Sequence, residues 1–262
     1  MDHDFKGILY PARLPTFHRL PAPAFVSDLV QWFWIPEWDI EPGRSSRQQV
    51  LSFPASNLAV QRDVVELAGP TTRVSRQDLS GTGWAVGALL HPAAVPLFTA
   101  NPAGLHDARL EISAPGLLAA VVQAMANPDG EARRAQAAGV VAGWLAEQLP
   151  EVSDEALLAN AMAAMIAGNP ELVRVEDVAE GLAVSVRTLQ RLAKKYVGLG
   201  PAALIRRRRL QEAADRTRNH PEVDLAGVAA EFGYADQSHL ANDFQRVLGF
   251  TPSSYRQNAG GL

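Results

Sequence analysis

Two stretches of this chain, Val178–Leu204 and Glu231–Arg256, carry matching punctuation fifty-one residues apart, and that repeat limits what the C-terminal part can fold into. Ser185 aligns with Asp236, Leu189 with Leu240, Gly198 with Gly249 and Pro201 with Pro252. Each copy reads as a short helix (VEDVAEGL, LAGVAAEF), a turn, an oxygen-bearing cap residue and a second helix (VRTLQRLAKKYV, QSHLANDFQRVL) that stops at glycine. Ser185 and Asp236 can accept from the free N–H groups at a helix start. Gly233 sits where a left-handed residue closes the preceding helix. Between the copies, PAALIRRRRLQEAADRTR opens on Gly200-Pro201 and predicts one continuous connecting helix. The pattern predicts tandem helix-turn-helix units on a stiff spacer. Two helices can enter successive major-groove segments of duplex DNA only about one turn, roughly 34 Å, apart, so the spacer's rigidity matters.

The charge balance agrees with that organisation. The chain carries a formal net charge of -4, yet residues 182–219 hold 10 basic and 2 acidic side chains. A basic segment on an acidic chain fits a nucleic-acid module fused to something else. The alternative is a solvated, arginine-rich helix face. The 262 residues contain no cysteine, which excludes disulfides, thiolate metal sites and cysteine nucleophiles. The stretch MDHDFKGILYPARLP lacks a signal-peptide pattern, and no apolar run reaches the ~18 residues of a membrane span, so a cytoplasmic protein is expected.

Residues 1–110 show short apolar runs cut by proline and glycine (LVQWFWIP, QVLSFP, NLAVQ, VVELAGP, GWAVGALLHP), which predict strands and turns. Trp32, Trp34 and Trp84 lie here, either as core or lining a small-molecule pocket. Residues 111–152 turn alanine-rich and helical, with Ser113 expected to cap a helix whose first turn holds Pro115. This stretch is expected to act as a helical connector or dimerisation region. Ser153 opens a further helix, and residues 153–262 are assigned to the tandem module. The fold class expected is α+β: a β-rich N-terminal domain with a helical hairpin, then an all-α tandem helix-turn-helix domain joined by a long linker helix.

GYADQSHL, followed by Phe244, Gly249, Thr251-Pro252 and Tyr255-Arg256, resembles the second unit of AraC/XylS-family bacterial transcription regulators, and SVRTLQRL resembles the first. The resemblance spans roughly residues 155–257. PAPAFVSDLVQWFW with QQVLSFPASNLAV is similar to the cupin-like sensor region of a subgroup of them. Two positions depart from the family pattern. Ala193 stands where an aromatic is usual, and Asn242 stands where arginine is frequent. An asparagine there can bond an adenine edge in a bidentate way.

On each second helix the first turns face base edges, which selects Arg187, Gln190 and Arg191 in one unit and Gln237, Ser238 and Asn242 in the other. Lys194, Lys195, Arg206, Arg207, Arg246 and Arg256 are read as phosphate partners. A helix turns about 100° per residue, so Arg206–Arg209 cannot share one face and only one or two of the four can point at DNA. His239 is read as structural. His3, His18, His91, His106 and His220 show no metal-ligand spacing, and no cofactor or metal is expected.

The resemblance implies a sequence-specific DNA-binding regulator rather than an enzyme. The expected partners are double-stranded DNA, RNA polymerase, a small-molecule effector on the N-terminal domain and a second copy of the chain. Two rival readings are a metal-dependent β-barrel enzyme fused to a DNA-targeting module, and a ligand-independent regulator whose N-terminal domain only oligomerises.

Overall fold

The structure, a computed structural model, describes residues 16–50, 54–71, 75–148, 151–220 and 222–259. The stretch 1–15, on which the leader reading and His3 rest, and part of the run QVLSFP lie outside the described residues. Among the described residues the strands are β1 (Thr16–Pro21), β2 (Val30–Asp39), β3 (Ser45–Val50), β4 (Asn57–Val60), β5 (Val65–Ala68), β6 (Ser75–Ser80), β7 (Thr82–Trp84), β8 (Val86–Leu90) and β9 (Arg109–Glu111). The helices are α1 (Pro115–Met125), α2 (Gly130–Gln148), α3 (Asp154–Gly168), α4 (Val175–Gly181), α5 (Val186–Tyr196), α6 (Pro201–Asn219), α7 (Leu225–Glu231), α8 (Gln237–Leu248) and α9 (Pro252–Ala259). This is the α+β organisation that the sequence predicts.

The main sheet is antiparallel, in the order β1-β2-β8-β4-β5-β9 with β7 also paired to β2, while β3 and β6 form a separate ribbon. Alternation along each strand sends side chains to opposite faces. Phe33, Ile35, Leu58, Val60, Leu67 and Val86 are fully buried on one face. Each contributes about 1.5–3 kcal/mol relative to exposure. Helices α1 and α2 cover that face: Leu117, Val121, Val141 and Leu145 join the same core. The segment 111–152, expected as a connector, is therefore the second layer of the N-terminal domain. Its buried side chains Leu117, Val121, Val141 and Leu145 are the ones turned toward the sheet. Pro115 opens α1 as expected, but Ala114 rather than Ser113 is the cap residue, with no side-chain bond.

Two further cores build the C-terminal half. The first gathers Met162 and Ile166 of α3, Val178 of α4, Leu189 and Leu192 of α5 and Leu204 of α6. Ala93, from the 3-10 segment Pro92–Leu97 of the N-terminal domain, belongs to it as well. That segment is held by a buried asparagine: the Ala93 N–H donates to Asn160 Oδ1 at 2.9 Å, and Asn160 Nδ2 donates to the Asp28 carbonyl at 2.8 Å. The second core gathers Leu210, Val228, Leu240, Phe244, Leu248 and Tyr255, and draws on no residue before Leu210.

A candidate nucleic-acid interface

Both second helices begin with the caps expected. Ser185 Oγ accepts from the Thr188 N–H at 3.0 Å, and Asp236 Oδ1 accepts from the His239 N–H at 2.8 Å. An oxygen in that position is worth about 1 kcal/mol to a helix. α5 buries Leu189, Leu192, Ala193 and Tyr196; α8 buries Leu240, Phe244 and Leu248. The opposite face of α5 carries Arg187, Gln190 and Arg191, that of α8 carries Ser238 and Asn242, and Gln237 opens α8; all six are exposed. Lys194 and Lys195 lie on the same exposed side of α5. Ala193 is fully buried, so the place that Phe244 fills in the second unit is closed in the first, where the Pro92–Leu97 segment packs against α5. The His239 ring stands edge-on to Tyr234, centroids 5.3 Å apart, a structural contact rather than a ligand set. Among the described residues no three His, Cys, Asp or Glu converge on one point.

The two turns differ by one residue. In the first unit the Val184 N–H donates to the Ala179 carbonyl, and in the second the Tyr234 N–H donates to the Ala229 carbonyl, an offset of 50 that becomes 51 once α5 and α8 begin. The left-handed position of the first turn falls on Ala183 (φ 52°), that of the second on Gly233 (φ 67°).

α6 carries four consecutive arginines, each of which has a different neighbour. Arg206 is paired with Asp243 of α8 through two hydrogen bonds, one of 2.8 Å from Nε. Arg207 is only 6% exposed and donates to Thr71 Oγ1 of the N-terminal domain at 3.2 Å. Burial pushes its pKa down to about 10. Arg208 is 3% exposed and donates to the carbonyls of Ile166, Asn169, Pro170 and Leu172, closing the end of α3. Arg209 donates to the carbonyls of Phe232 and Gly233 at the end of α7, and its guanidinium lies 4.5 Å from the Tyr234 ring centroid.

One expected phosphate partner, Arg207, is corrected by this fan. Arg207 faces the N-terminal domain and is closed off from solvent. Arg206 is half-exposed, but its fork is taken up by Asp243. Arg246 also bonds Asp243, at 2.7 Å, and Arg256 donates to the Val223 carbonyl at 2.7 Å, so both brace the second unit. The Asp243 side chain is 2% exposed, whereas those of Arg206 and Arg246 are 44% and 56% exposed. Asp243→Ala should therefore cost about 2 kcal/mol rather than the larger loss that follows an abandoned buried charge, because both cations can regain water. Urea unfolding of the variant checks this.

Sequence reasoning missed Glu155. It lies at the start of α3, outside both units, and its carboxylate accepts from Arg191 and Lys195 and, at 3.0 Å, from Tyr196 Oη. The Lys195 and Arg191 bonds hold its pKa down to about 2. A carboxylate depressed from ~4.3 keeps its full contribution above about pH 5 and loses it as pH falls toward 2, so the clamp is closed at neutral pH. Its only sequence signal was an acid at a helix N-terminus, already accounted for by the helix dipole.

Comparison with known proteins matches residues 178–258 to a helix-turn-helix domain family (HTH_18) and residues 18–111 to a domain of unknown function (DUF6597). The "HTH-type transcriptional activator RhaS" of Escherichia fergusonii is 36% identical over 33% of this chain and 31% of its own length. A "Putative AraC-like transcription regulator" of Streptomyces lividans is 35% identical over 45% of this chain and 37% of its own. Residues 178–258 are thus similar to a helix-turn-helix domain, and the relatives that resemble the chain are named as a transcriptional activator and an AraC-like regulator. The chain spans about a third of the length of these curated relatives. Among solved structures, ToxT from Vibrio cholerae O395 aligns over 94% of this chain and 97% of its own at 12% identity, with a TM-score of 0.44.

The tryptophans expected to line a pocket do not share one. The Trp34 indole N–H donates to Asn57 Oδ1 at 2.9 Å, and its ring lies over Gly87, where an added Cβ would come within 1.9 Å of it. Arg19 covers the Trp32 ring at 4.1 Å. Trp84 instead packs against the core beneath α1 and α2, opposite Glu37 in the β2–β7 pairing. The sheet thus separates Trp84 from Trp32 and Trp34. Among the described residues no helix is long and apolar enough to cross a membrane.

Proposed function

We propose that the chain is a sequence-specific DNA-binding transcriptional regulator of the AraC type, acting in the cytoplasm, without catalytic activity of its own. The observation that carries this reading is the pair of capped helices α5 and α8, each exposing polar side chains and both packed against α6, α8 also through the Arg206–Asp243 pair. Arg187, Gln190, Arg191, Gln237, Ser238 and Asn242 are assigned to base edges, and Lys194 and Lys195 to phosphates. A small-molecule effector, RNA polymerase and a second copy of the chain are proposed partners on the strength of the resemblance. The test is selection of genomic fragments by the purified full chain, followed by anisotropy titration of the winners. The expected result is a motif of two segments about one helical turn apart, with affinity that falls linearly in log–log against salt. Enrichment of no motif, with binding no better than to shuffled duplex, defeats the reading.

Glu155 supplies a sharper expectation. With the carboxylate in place, Arg191 is held on its own helix face and two cations are partly neutralised. Glu155→Gln should strengthen binding to arbitrary duplex and steepen the salt dependence by about one to two units of log–log slope, as up to two further phosphate contacts form. Discrimination at the base facing Arg191 should fall by about tenfold, within the worth of one good base contact. An unchanged salt slope would show that Glu155 does not govern these cations.

A further inference from the structure

A cleft of about 100 Å³ opens where the N-terminal domain meets the helical module. Leu90, His91 and Val95 form one wall, and Ile166 of α3 with Leu204 and Arg208 of α6 form the other. Its mouth passes Ala164 and Ala167, both exposed. Gln31, also on the wall, sits at the register shift where β2 pairs with β8, and bulges of this kind gather at functional edges. None of the tryptophans expected in a pocket lines this cleft.

We propose that this interdomain cleft binds a compact, uncharged, mainly apolar molecule of about the size of one six-membered ring, carrying at most one hydroxyl or carbonyl. The charge argument runs through the two basic side chains on the wall. The Arg208 guanidinium is committed to four backbone carbonyls and cannot turn to an anion without releasing the end of α3. Burial lowers the pKa of His91, which keeps the imidazole neutral. An anionic ligand would thus be desolvated against apolar walls with no free cation to meet it, a cost of several kcal/mol in general. A neutral ring meets no such barrier, and an apolar cavity of about 150 Å³ is known to hold benzene. Gln31 Nε2 donates to the Leu90 carbonyl at 3.0 Å, which leaves its amide oxygen as acceptor for a ligand hydroxyl.

The site has a built-in consequence. Its two walls belong to different domains, so its contacts exist in full only while those domains are docked. A ligand that favours one of two arrangements shifts the population toward it. Occupancy should therefore tighten the docking of the N-terminal domain on α3, α5 and α6. Only the regulatory meaning of that tightening rests on the function proposed above; the binding itself does not.

The experiment uses the full chain with benzyl alcohol and benzoate, which share a ring and differ in charge. Benzyl alcohol is expected to raise Tm saturably and to shift methyl resonances of Leu90, Val95, Ile166 and Leu204, with benzoate at least tenfold weaker. Ala167→Phe, at the exposed rim, should abolish the response. Ala163→Leu serves as the second variant should the first lower the protein's own Tm. No saturable response to benzyl alcohol, an equal response to benzoate, or unchanged binding in both variants overturns the proposal. Duplex binding is titrated in parallel. Loss of duplex affinity with intact benzyl alcohol binding defeats the regulatory reading alone, and the converse defeats the cleft alone.

Discussion

Replacing Arg208 by alanine should remove about 3–5 kcal/mol of stability, a large share of the ~5–15 kcal/mol that holds a typical domain together. The side chain is 3% exposed, and its fork reaches Leu172 at 2.8 Å, Pro170 at 3.1 Å and Ile166 at 3.2 Å, with Asn169 alongside. Truncation leaves these carbonyls, at and just past the end of α3, without their donor. Each unmet buried group costs about 1–3 kcal/mol, less where water can enter. The loss should surface as a lower urea midpoint at unchanged slope, because the surface exposed on unfolding stays the same. Arg208→Lys should not restore it: a compact ammonium has no planar fork to span several carbonyls. A midpoint equal to the parent's in Arg208→Ala would show that the clamp contributes nothing.

A second large effect is expected at Gly198, just past the end of α5. It has φ 83°, and a Cβ there would lie 2.5 Å from the carbonyl carbon of Pro102. Both the conformation and the space require glycine. Gly43 is a natural control: its φ is also 83°, but an added Cβ would meet nothing within 4 Å. Gly43→Ala should cost only the left-handed strain, about 1–2 kcal/mol. Gly198→Ala should cost that and more, since backbone on both sides must separate. The excess should appear as loosened docking, read as faster proteolysis between the domains and larger dimensions in solution scattering. Equal costs at the two glycines would mean that the contact with Pro102 yields freely.

These effects fall where the sequence was least readable. The caps Ser185, Ser153 and Asp236 were legible because a cap is a local event: an oxygen side chain and the next turn's N–H groups settle it together. The exposed sides of α5 and α8 were legible because helical spacing alone separates Leu189 from Arg187 and Leu240 from Ser238 and Asn242. The arginine run showed the limit. Helical geometry said that Arg206–Arg209 must diverge, but their partners lie 37, 136, 42 and 23 residues away, at Asp243, Thr71, Ile166 and Phe232. No local pattern identifies an acceptor that far off, so Arg207 was assigned to phosphate when it is sealed against the N-terminal domain. Trp84 was misgrouped with Trp32 and Trp34 for a related reason. It lies on a three-residue strand, too short for alternation to declare a face, and the register shift between Val30 and Trp32 disturbs the alternation at the start of β2. The hairpin α1–α2 displayed an apolar stripe without saying whether a sheet or a second molecule would cover it.

The nearer helix pair has a side chain of the N-terminal domain, Ala93, embedded among its own, while the farther pair closes on itself from Leu210 onward. Thermal agitation will therefore be shared out unevenly along the molecule. Under the reading proposed above, Arg187 and Gln190 would meet DNA from a helix anchored to the N-terminal domain, whereas Gln237 and Asn242 would meet it from a core whose buried members all lie on α6 and beyond.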